Sequence, residues 1–376
     1  MAEILGPMSV VQRALPTGVD GTKLAEWQMM EGTTFGAFVG QLGAAVGAFN
    51  QELAQRWGYL FGLSEDFIVE YPDGGSVTEL GEITDHSDRD PVMGTTIGHM
   101  IDLKAYGGAV GGSKRFFRDA RMAQIQSTIA TIMHQARWRF EKAVFTRLMT
   151  DTENAIGSAG YDVPFVKGGG SVAYTPAPWA GKTFTSSHSH FLGLNSGGGK
   201  TFANVFNDLA ETLAEHGHSA PFIAHVSVAD VETIAALTKF VQFVAPVITT
   251  IDRGGETSGN QLYANGQPVV FGGTIGYYQS KHGLIELRAS NRIPTGYVNM
   301  IKSYGQLDTR NPLWVRVHPQ VGFGAVIVPE TTGDSQWPVK KVSIEFEFGV
   351  GIGQDRTNGA NAYLVSGGSW ANPTIS

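Results

Sequence analysis

The feature that most constrains this chain is a long amphipathic segment, residues 113–150, that directly follows an extended acidic loop. Its apolar side chains recur at steps of three and four residues, the period of one helix face; they are Met122, Ile125, Ile129, Ile132, Met133, Ala136, Phe140, Ala143, Val144 and Leu148. The spacing predicts one unbroken helix, about 55 Å long at 1.5 Å per residue. A long straight helix offers no surface of its own on which the acidic loop at its end could be buried. We therefore expect the arm to contact a second copy of the chain.

Composition narrows the class of protein. Of 376 residues, 42% are hydrophobic and only 16% are charged, against about 25% charged in typical soluble domains. A weakly charged surface suits a chain whose faces are covered by other subunits. The net charge of −7 argues against a general binder of polyanions. Any contact with nucleic acid should therefore be local.

Several kinds of enzyme site are excluded or unsupported by the sequence. The chain has no cysteine, which excludes disulfides, thiol catalysis and cysteine-ligated zinc or iron–sulfur sites. It also lacks the Gly-x-Ser-x-Gly, Gly-x-x-x-x-Gly-Lys-Ser/Thr and His-Glu-x-x-His motifs. We predict no catalytic residue and no cofactor.

Two His-x-His pairs are the nearest approach to a metal site. His188 with His190, and His216 with His218, place two imidazoles close together along the chain. No His-Glu-x-x-His motif, no carboxylate at a fixed offset and no cysteine accompanies them, so we interpret them as loop or packing histidines and expect no metal. A metal-dependent hydrolase that uses all four histidines is the alternative from another class of protein.

The amino-terminal region predicts neither export nor a membrane span. Residues 1–11 contain Glu3 and no basic segment before an apolar run, so no secretory signal is expected. The apolar stretch 35–49 is shorter than the roughly 20 residues that a bilayer requires. It carries one stripe of apolar side chains beside a stripe of glycines, which predicts a helix docked closely against another element; the glycines are Gly36, Gly40, Gly43 and Gly47.

The remaining elements follow in a definite order. Residues 1–23 predict an irregular arm, a helix should continue to about residue 61, and strands at 67–71 and 99–106 should flank the loop. A long irregular insertion, 152–200, is rich in Gly, Ser, Thr and Pro. An α/β unit should follow, with helix 202–216, strand 222–228 and helix 231–241. Strands then dominate, at 268–271, 284–288, 297–303, 313–317, 323–328 and 342–348, of which the last alternates as in an antiparallel sheet.

Charge is distributed unevenly around the loop. Acidic side chains dominate it, and no lysine occurs between Tyr71 and Leu103. Basic side chains crowd the start of the helix, where the macrodipole disfavours cations. We hypothesise that loop acids of one subunit lie over the basic helix start of a neighbour and set the register of assembly. The acids are Glu79, Glu82, Asp85, Asp88 and Asp90, and the bases are Lys114, Arg115, Arg118 and Arg121. Ordinary solvated charges are the alternative.

Two stretches carry a family resemblance. Residues 91–119 contain Ile-Asp-Leu-Lys at 101–104 and Gly-Gly-Ser at 111–113, and residues 283–304 contain Arg-Ile-Pro-Thr-Gly at 292–296. With the order of elements, they resemble the major capsid protein of tailed bacteriophages, the Hong Kong 97-type fold. The resemblance implies an α+β fold with these parts: an N-terminal arm with a helix (1–66), an extended loop (67–112), a peripheral domain on a long spine helix (113–200), an axial domain (201–305), peripheral strands (306–348), and a return to the axial domain with the tail (349–376).

That resemblance also implies a function. Such a protein is structural rather than enzymatic. It is assembled in the host cytoplasm and resides in the virion, where hexamers and pentamers of identical copies form an icosahedral head around double-stranded DNA. Portal and scaffolding proteins would be partners, a cement protein is optional, and no membrane is involved. An encapsulin-like nanocompartment shell is the alternative of the same fold.

The resemblance bears on two sets of residues. Some family members crosslink a loop lysine to a neighbour's asparagine, and since this loop has no lysine we expect a shell held without that bond. The inner wall of such shells faces DNA. Weak contacts with phosphate could therefore come from Arg137, Arg139, Lys142 and Arg147 on the spine helix. Salt bridges from these side chains to Glu141 or to other acids are the alternative.

Overall fold

The structure is a computed structural model that describes residues 35–73, 95–113, 122–156, 160–169, 174–242, 263–264, 267–268, 273–330 and 339–375. Its helices are α1 (Phe35–Trp57), α2 (Met122–Met149), α3 (Phe202–Ala214) and α4 (Val231–Ala235). Its strands are β1 (Phe61–Ser64), β2 (Ile68–Asp73), β3 (Thr95–Met100), β4 (Lys104–Ser113), β5 (Asn154–Ile156), β6 (Gly160–Asp162), β7 (Phe191–Asn195), β8 (Phe222–Ser227), β9 (Phe240–Gln242), β10 (Tyr263–Ala264), β11 (Gln267–Pro268), β12 (Thr274–Ser280), β13 (Gly283–Ser290), β14 (Tyr297–Ile301), β15 (Leu313–Arg316), β16 (Ala325–Glu330), β17 (Val339–Ile352) and β18 (Ala360–Val365).

A five-stranded sheet forms one half of the fold. Its centre is β17, which pairs antiparallel with β4, β15 and β16, while β1 pairs parallel with β15. Ile344, Phe346 and Phe348 of β17 are buried and Glu345 between them is exposed. The predicted half-buried antiparallel strand is therefore confirmed and is longer than predicted at both ends.

The helix α2 packs on β4 and β17, and α1 packs on β16 and α2. The described part of α2 has 28 residues, about 42 Å of helix. Its buried side chains recur at helical spacing and confirm most of the predicted stripe; they include Ile125, Ile129, Phe140, Val144 and Leu148. The long helix is therefore confirmed from Met122 onward. Its predicted start at 113–121 contains residues outside the described part of the chain.

A seven-stranded sheet forms the other half, in the order β7–β18–β14–β8–β13–β12–β9. The helix α3 buries Phe202, Val205, Phe206, Leu209 and Leu213, against a face that contains β12, β14 and β18. Besides strands of the predicted α/β region, the sheet includes β7 (residues 191–195) and β18 (residues 360–365). Strand β7 (Phe191–Asn195) precedes the region in which the sequence predicts the α/β unit, residues 202–241.

The two-stranded arm is formed by β2 and β3, which lie in sequence between two strands of the five-stranded sheet, β1 and β4. In β2 and β3, Ile68 pairs with Met100 and Asp73 pairs with Thr95. The prediction of one return strand over 99–106 is wrong, because the backbone breaks between β3 and β4. There the amide of Ile101 donates to the carbonyl of Phe67 at 3.0 Å, and residues 101–103 belong to neither strand.

Other local predictions also differ from the structure. The helix predicted at 231–241 ends at Ala235, after which β9 pairs with β12, a strand that the sequence did not predict. The insertion predicted as irregular, 152–200, contains the short strands β5, β6 and β7. A periodic pattern of eleven residues is too short to distinguish one continuous helix from a short helix followed by an edge strand.

The glycine stripe of α1 does not dock as predicted. A Cβ atom built on Gly40, Gly43 or Gly47 would meet nothing within 4 Å among the described residues. The opposite face, which carries Leu42 and Val46, is buried instead. Among the helices that the structure describes, none is long and apolar enough to cross a bilayer.

Candidate assembly surfaces and a three-histidine cluster

The predicted intersubunit charges lie outside the described part of the chain. The acids from Glu79 to Asp90 fall in the gap 74–94, and the bases from Lys114 to Arg121 fall in the gap 114–121. Their pairing therefore stays a prediction. What the structure describes is the base of the arm, where Phe67 and Ile68 are 40% and 51% exposed. Apolar side chains so exposed at the root of an arm suit contact with another surface.

Arg147 does not face outward, and its predicted role as a contact for DNA is wrong. Its side chain is only 2% exposed because it lies on the core side of α2. Its guanidinium Nη1 lies 3.3 Å from Oδ2 of Asp162. Nη2 donates to the carbonyls of Thr150 and Thr152, each at 3.0 Å. These bonds occupy the side chain and fasten the end of α2 to the segment that follows it.

The other three basic residues of α2 lie at or near its surface. Arg137 forms an ion pair with Glu52 of α1, which agrees with the salt-bridge alternative. Arg139 is exposed and lies over the ring of Tyr106, with Cζ 4.7 Å from the ring centroid. Lys142 lies over Trp138, with Nζ 5.0 Å from the centroid. Arg139 and Lys142 thus remain candidates for contact with an external anion.

The alternative proposed salt bridges from these basic residues to Glu141, but Glu141 pairs with a different arginine. Its Oε2 accepts from Nε of Arg292 at 3.2 Å, and both side chains are largely buried. Arg292 belongs to the Arg-Ile-Pro-Thr-Gly stretch, so this pair joins α2 to the turn before β14.

Three of the four candidate histidines meet in one cluster. His188 and His190 lie at the end of the segment 174–190, and His216 follows the C-terminus of α3. Nε2 of His216 lies 2.9 Å from Nε2 of His188 and 2.9 Å from Nε2 of His190. The sequence shows that His188 lies close to His190. The contact of His216 with both of them arises only in the folded chain.

Burial keeps these imidazoles neutral. It lowers the pKa of His216 to about 3 and that of His190 well below its usual value, with a smaller effect on the half-exposed His188. Nδ1 of His190 lies 2.8 Å from the carbonyl oxygen of Gly359. A carbonyl only accepts, so Nδ1 carries the proton and Nε2 presents a lone pair to the cluster.

His218 stands apart from the cluster. Its Nε2 lies 2.9 Å from Oγ1 of Thr357 and 3.4 Å from Oδ2 of Asp355, and its Nδ1 lies 3.2 Å from the hydroxyl of Tyr304. It therefore joins the chain after β14 to the turn before β18. The four-histidine site of the hydrolase alternative is not formed.

Sequence reasoning missed Phe184, which packs on two members of the cluster. Its ring centroid lies 4.2 Å from that of His216 and 4.8 Å from that of His188. Phe184 stands four residues before His188 in an irregular segment, where no periodic pattern could have indicated its neighbours.

Comparison with known proteins places the fold. No protein-family model matches the chain, and no curated protein matches it. A solved structure from Mycobacterium phage Patience matches with a TM-score of 0.61 and 19% identity, over 92% of this chain and 93% of that chain. The capsid of Cyanophage P-SCSP1u matches with a TM-score of 0.43 and 10% identity, over 81% and 85% of the two chains. The capsid of a native GTA particle matches with a TM-score of 0.43 and 11% identity, over 83% and 90%.

The match to the Mycobacterium phage Patience structure establishes a shared fold over nearly the whole of both chains. The predicted α+β class is confirmed by the mixed helices and sheets, and the fold is shared with that phage structure. The division of that fold into peripheral and axial domains stays a prediction.

Proposed function

We propose that this chain is the major capsid protein of a tailed bacteriophage, a structural subunit that self-assembles into the icosahedral head. Hexamers and pentamers of the chain would enclose double-stranded DNA, with assembly in the host cytoplasm and final location in the virion. The observation that carries the proposal is the fold shared with the Mycobacterium phage Patience structure over 92% of this chain.

The arm supports the same proposal. The strands β2 and β3 contact each other along their whole length, and the exposed Phe67 and Ile68 lie where they leave the fold. A two-stranded ribbon alone is marginally stable in water. It gains stability when it lies on a neighbouring subunit, as in a continuous shell. The acidic tip and the basic start of the spine helix would then set its register.

Packaged DNA would meet the shell only through weak contacts. Arg139 and Lys142 are the basic residues of α2 that remain candidates after Arg137 and Arg147 are assigned to ion pairs. Phosphate contacts of this kind do not depend on sequence and weaken as salt rises. Portal, scaffolding and cement proteins would be further partners.

Electron microscopy of the purified chain tests the proposal. The full chain should be expressed alone and together with candidate scaffolding proteins, and particles should be separated from subunits by sedimentation. We expect closed, uniform shells in negative stain in at least one of these conditions. Only dispersed monomers in every condition would refute a shell protein.

The contents of particles from infected or native cells separate the two shell types. Nuclease-protected double-stranded DNA supports a phage head. A single species of enclosed enzyme and no DNA would support the encapsulin-like nanocompartment instead.

A further inference from the structure

We propose that His188, His190 and His216 bind one divalent transition-metal ion, for which Zn²⁺ is the best match. The ion would fasten the segment 174–190 to the C-terminal end of α3. This proposal does not depend on the function of the chain as a shell protein.

The three ligand atoms already converge. Nε2 of His216 is 2.9 Å from both other Nε2 atoms, and one ligand atom from each residue lies within 4.8 Å of the others. Zn²⁺ binds imidazole nitrogen at about 2.0–2.1 Å in tetrahedral geometry, which sets the nitrogens about 3.3 Å apart. Both separations from His216 are close to this value, so rotations of the rings would bring the nitrogens to the distances that the ion requires.

Hydrogen bonds alone do not account for this convergence. Nε2 of His190 has no proton, because Nδ1 donates to Gly359. If Nε2 of His216 also lacks a proton, two lone pairs face each other at 2.9 Å. If it carries one, that single proton has to serve both His188 and His190. A cation that accepts all three lone pairs at once removes the conflict.

The surroundings hold the rings as metal sites usually require. The bond from His190 to the carbonyl of Gly359 is the type of second contact that fixes the tautomer and the ring plane of a ligating histidine. The backbone amide of His190 donates to the carbonyl of Val166 at 2.8 Å. Phe184 stacks on His216 and covers one side of the cluster.

The donor set selects the class of metal. Three imidazoles suit Zn²⁺, Ni²⁺, Co²⁺ or Cu²⁺, whereas Mg²⁺ and Ca²⁺ prefer oxygen ligands. No carboxylate belongs to the cluster among the described residues. Because His188 is half exposed, water can occupy the fourth position of a tetrahedral Zn²⁺. His188 and His216 are 28 residues apart, so the ion would join two segments that are distant in sequence.

Metal binding by the full chain tests this assignment. The purified chain is stripped with EDTA and dialysed against Zn²⁺, and bound metal is counted by mass spectrometry. Affinity is measured by competition with a chromophoric chelator. We expect one equivalent for the native chain, and affinity about 100-fold or more weaker for His188→Ala and His216→Ala, beyond the loss known for outer contacts of metal sites. His134→Ala, which removes an exposed histidine on α2, is the matched control and should keep one equivalent.

Two further measurements guard against misfolding. His188→Ala alters a half-exposed residue, so its thermal unfolding in EDTA should match that of the native chain. Added Zn²⁺ should raise the unfolding temperature of the native chain and of His134→Ala only. Co²⁺ should give the visible bands of a tetrahedral site in the same two proteins. Less than a tenth of an equivalent of Zn²⁺ in the native chain, or equal affinity in His188→Ala and His134→Ala, would overturn the proposal.

Discussion

The hydroxyl group of Tyr59 lies 2.8 Å from Nε2 of His225, a contact that joins the chain after α1 to strand β8. Nδ1 of His225 lies 3.2 Å from Oδ1 of Asn299, whose Nδ2 donates to Oδ1 of Asn361 at 2.9 Å. Nδ2 of Asn361 in turn donates to the carbonyl of Leu148 in α2. Of the two neutral forms of the His225 ring, the one protonated at Nδ1 donates to Asn299 and accepts from Tyr59. This buried row of polar side chains links the two halves of the fold.

His225 should make stability depend on pH. Burial, with a smaller contribution from Arg288, lowers the pKa of His225 to about 3 in the folded chain. The unfolded chain binds the proton near pH 6.5, so stability is fully present above that pH and falls as the pH drops towards 3. Each pH unit below 6.5 should cost about 1.4 kcal/mol.

The substitution His225→Gln isolates this effect. Glutamine can accept from Tyr59 and donate to Asn299 but does not titrate. Urea unfolding of dissociated subunits at pH 7.0, 6.0 and 5.0 should show a smaller loss of free energy in the variant, by about 0.7 kcal/mol between pH 7.0 and 6.0 and about 1.2 kcal/mol between pH 6.0 and 5.0. Other buried histidines, including His99, contribute equally to both proteins. Parallel slopes would contradict the assignment.

Breaking the buried ion pair of Arg147 should be costly. Arg147→Met leaves the carboxylate of Asp162 without that partner and removes the bonds to two carbonyls. Loss of one member of a buried pair typically costs about 3–5 kcal/mol. The double variant with Asp162→Leu should recover part of this loss. Arg139→Met, on the exposed side of the same helix, is the control, and an equal effect in the two single variants would contradict the buried role.

The helix was predictable from sequence and the role of Arg147 was not. The spacing of the apolar residues is enough to identify the buried face of α2, and the predicted residues from Ile125 to Leu148 include its buried side chains. From sequence, an arginine in this helix is expected at the surface. Its buried position depends on Asp162, which lies in a short strand that no pattern of apolar residues indicated. The histidine cluster was likewise only partly predictable from the sequence. Sequence places His188 beside His190, but only the packing of α3 beside the segment before β7 adds His216.

Phe140 should be among the most sensitive positions of the five-stranded half. It is fully buried, and its ring centroid lies 5.2–5.9 Å from those of Phe61, Phe323, Phe346 and Phe348. Replacement of a buried phenylalanine by alanine costs about 3–5 kcal/mol, as transfer energy and cavity add. Urea unfolding should show this for Phe140→Ala and less than about 0.5 kcal/mol for the exposed Gln135→Ala.

Reversal of charge at the start of the spine helix tests the intersubunit hypothesis. Arg115→Glu with Arg118→Glu would oppose the acidic loop of the neighbouring subunit, and like charges across an interface disfavour association. We expect loss of shells in sedimentation and electron microscopy, with folded subunits by circular dichroism. Asp85→Lys with Asp88→Lys should partly restore them. Arg139→Glu is the control, and normal assembly of all these variants would refute the pairing.

Shell cohesion should not involve a covalent bond from the loop. A bond between a side-chain amine and an asparagine requires a lysine nucleophile, and no lysine occurs between Tyr71 and Leu103. Intact shells boiled in detergent should therefore run as a single monomer band. A control shell that carries Val77→Lys asks whether a loop lysine can react at all. A ladder of multimers from the native chain would contradict the prediction, because it would show covalent bonds between subunits.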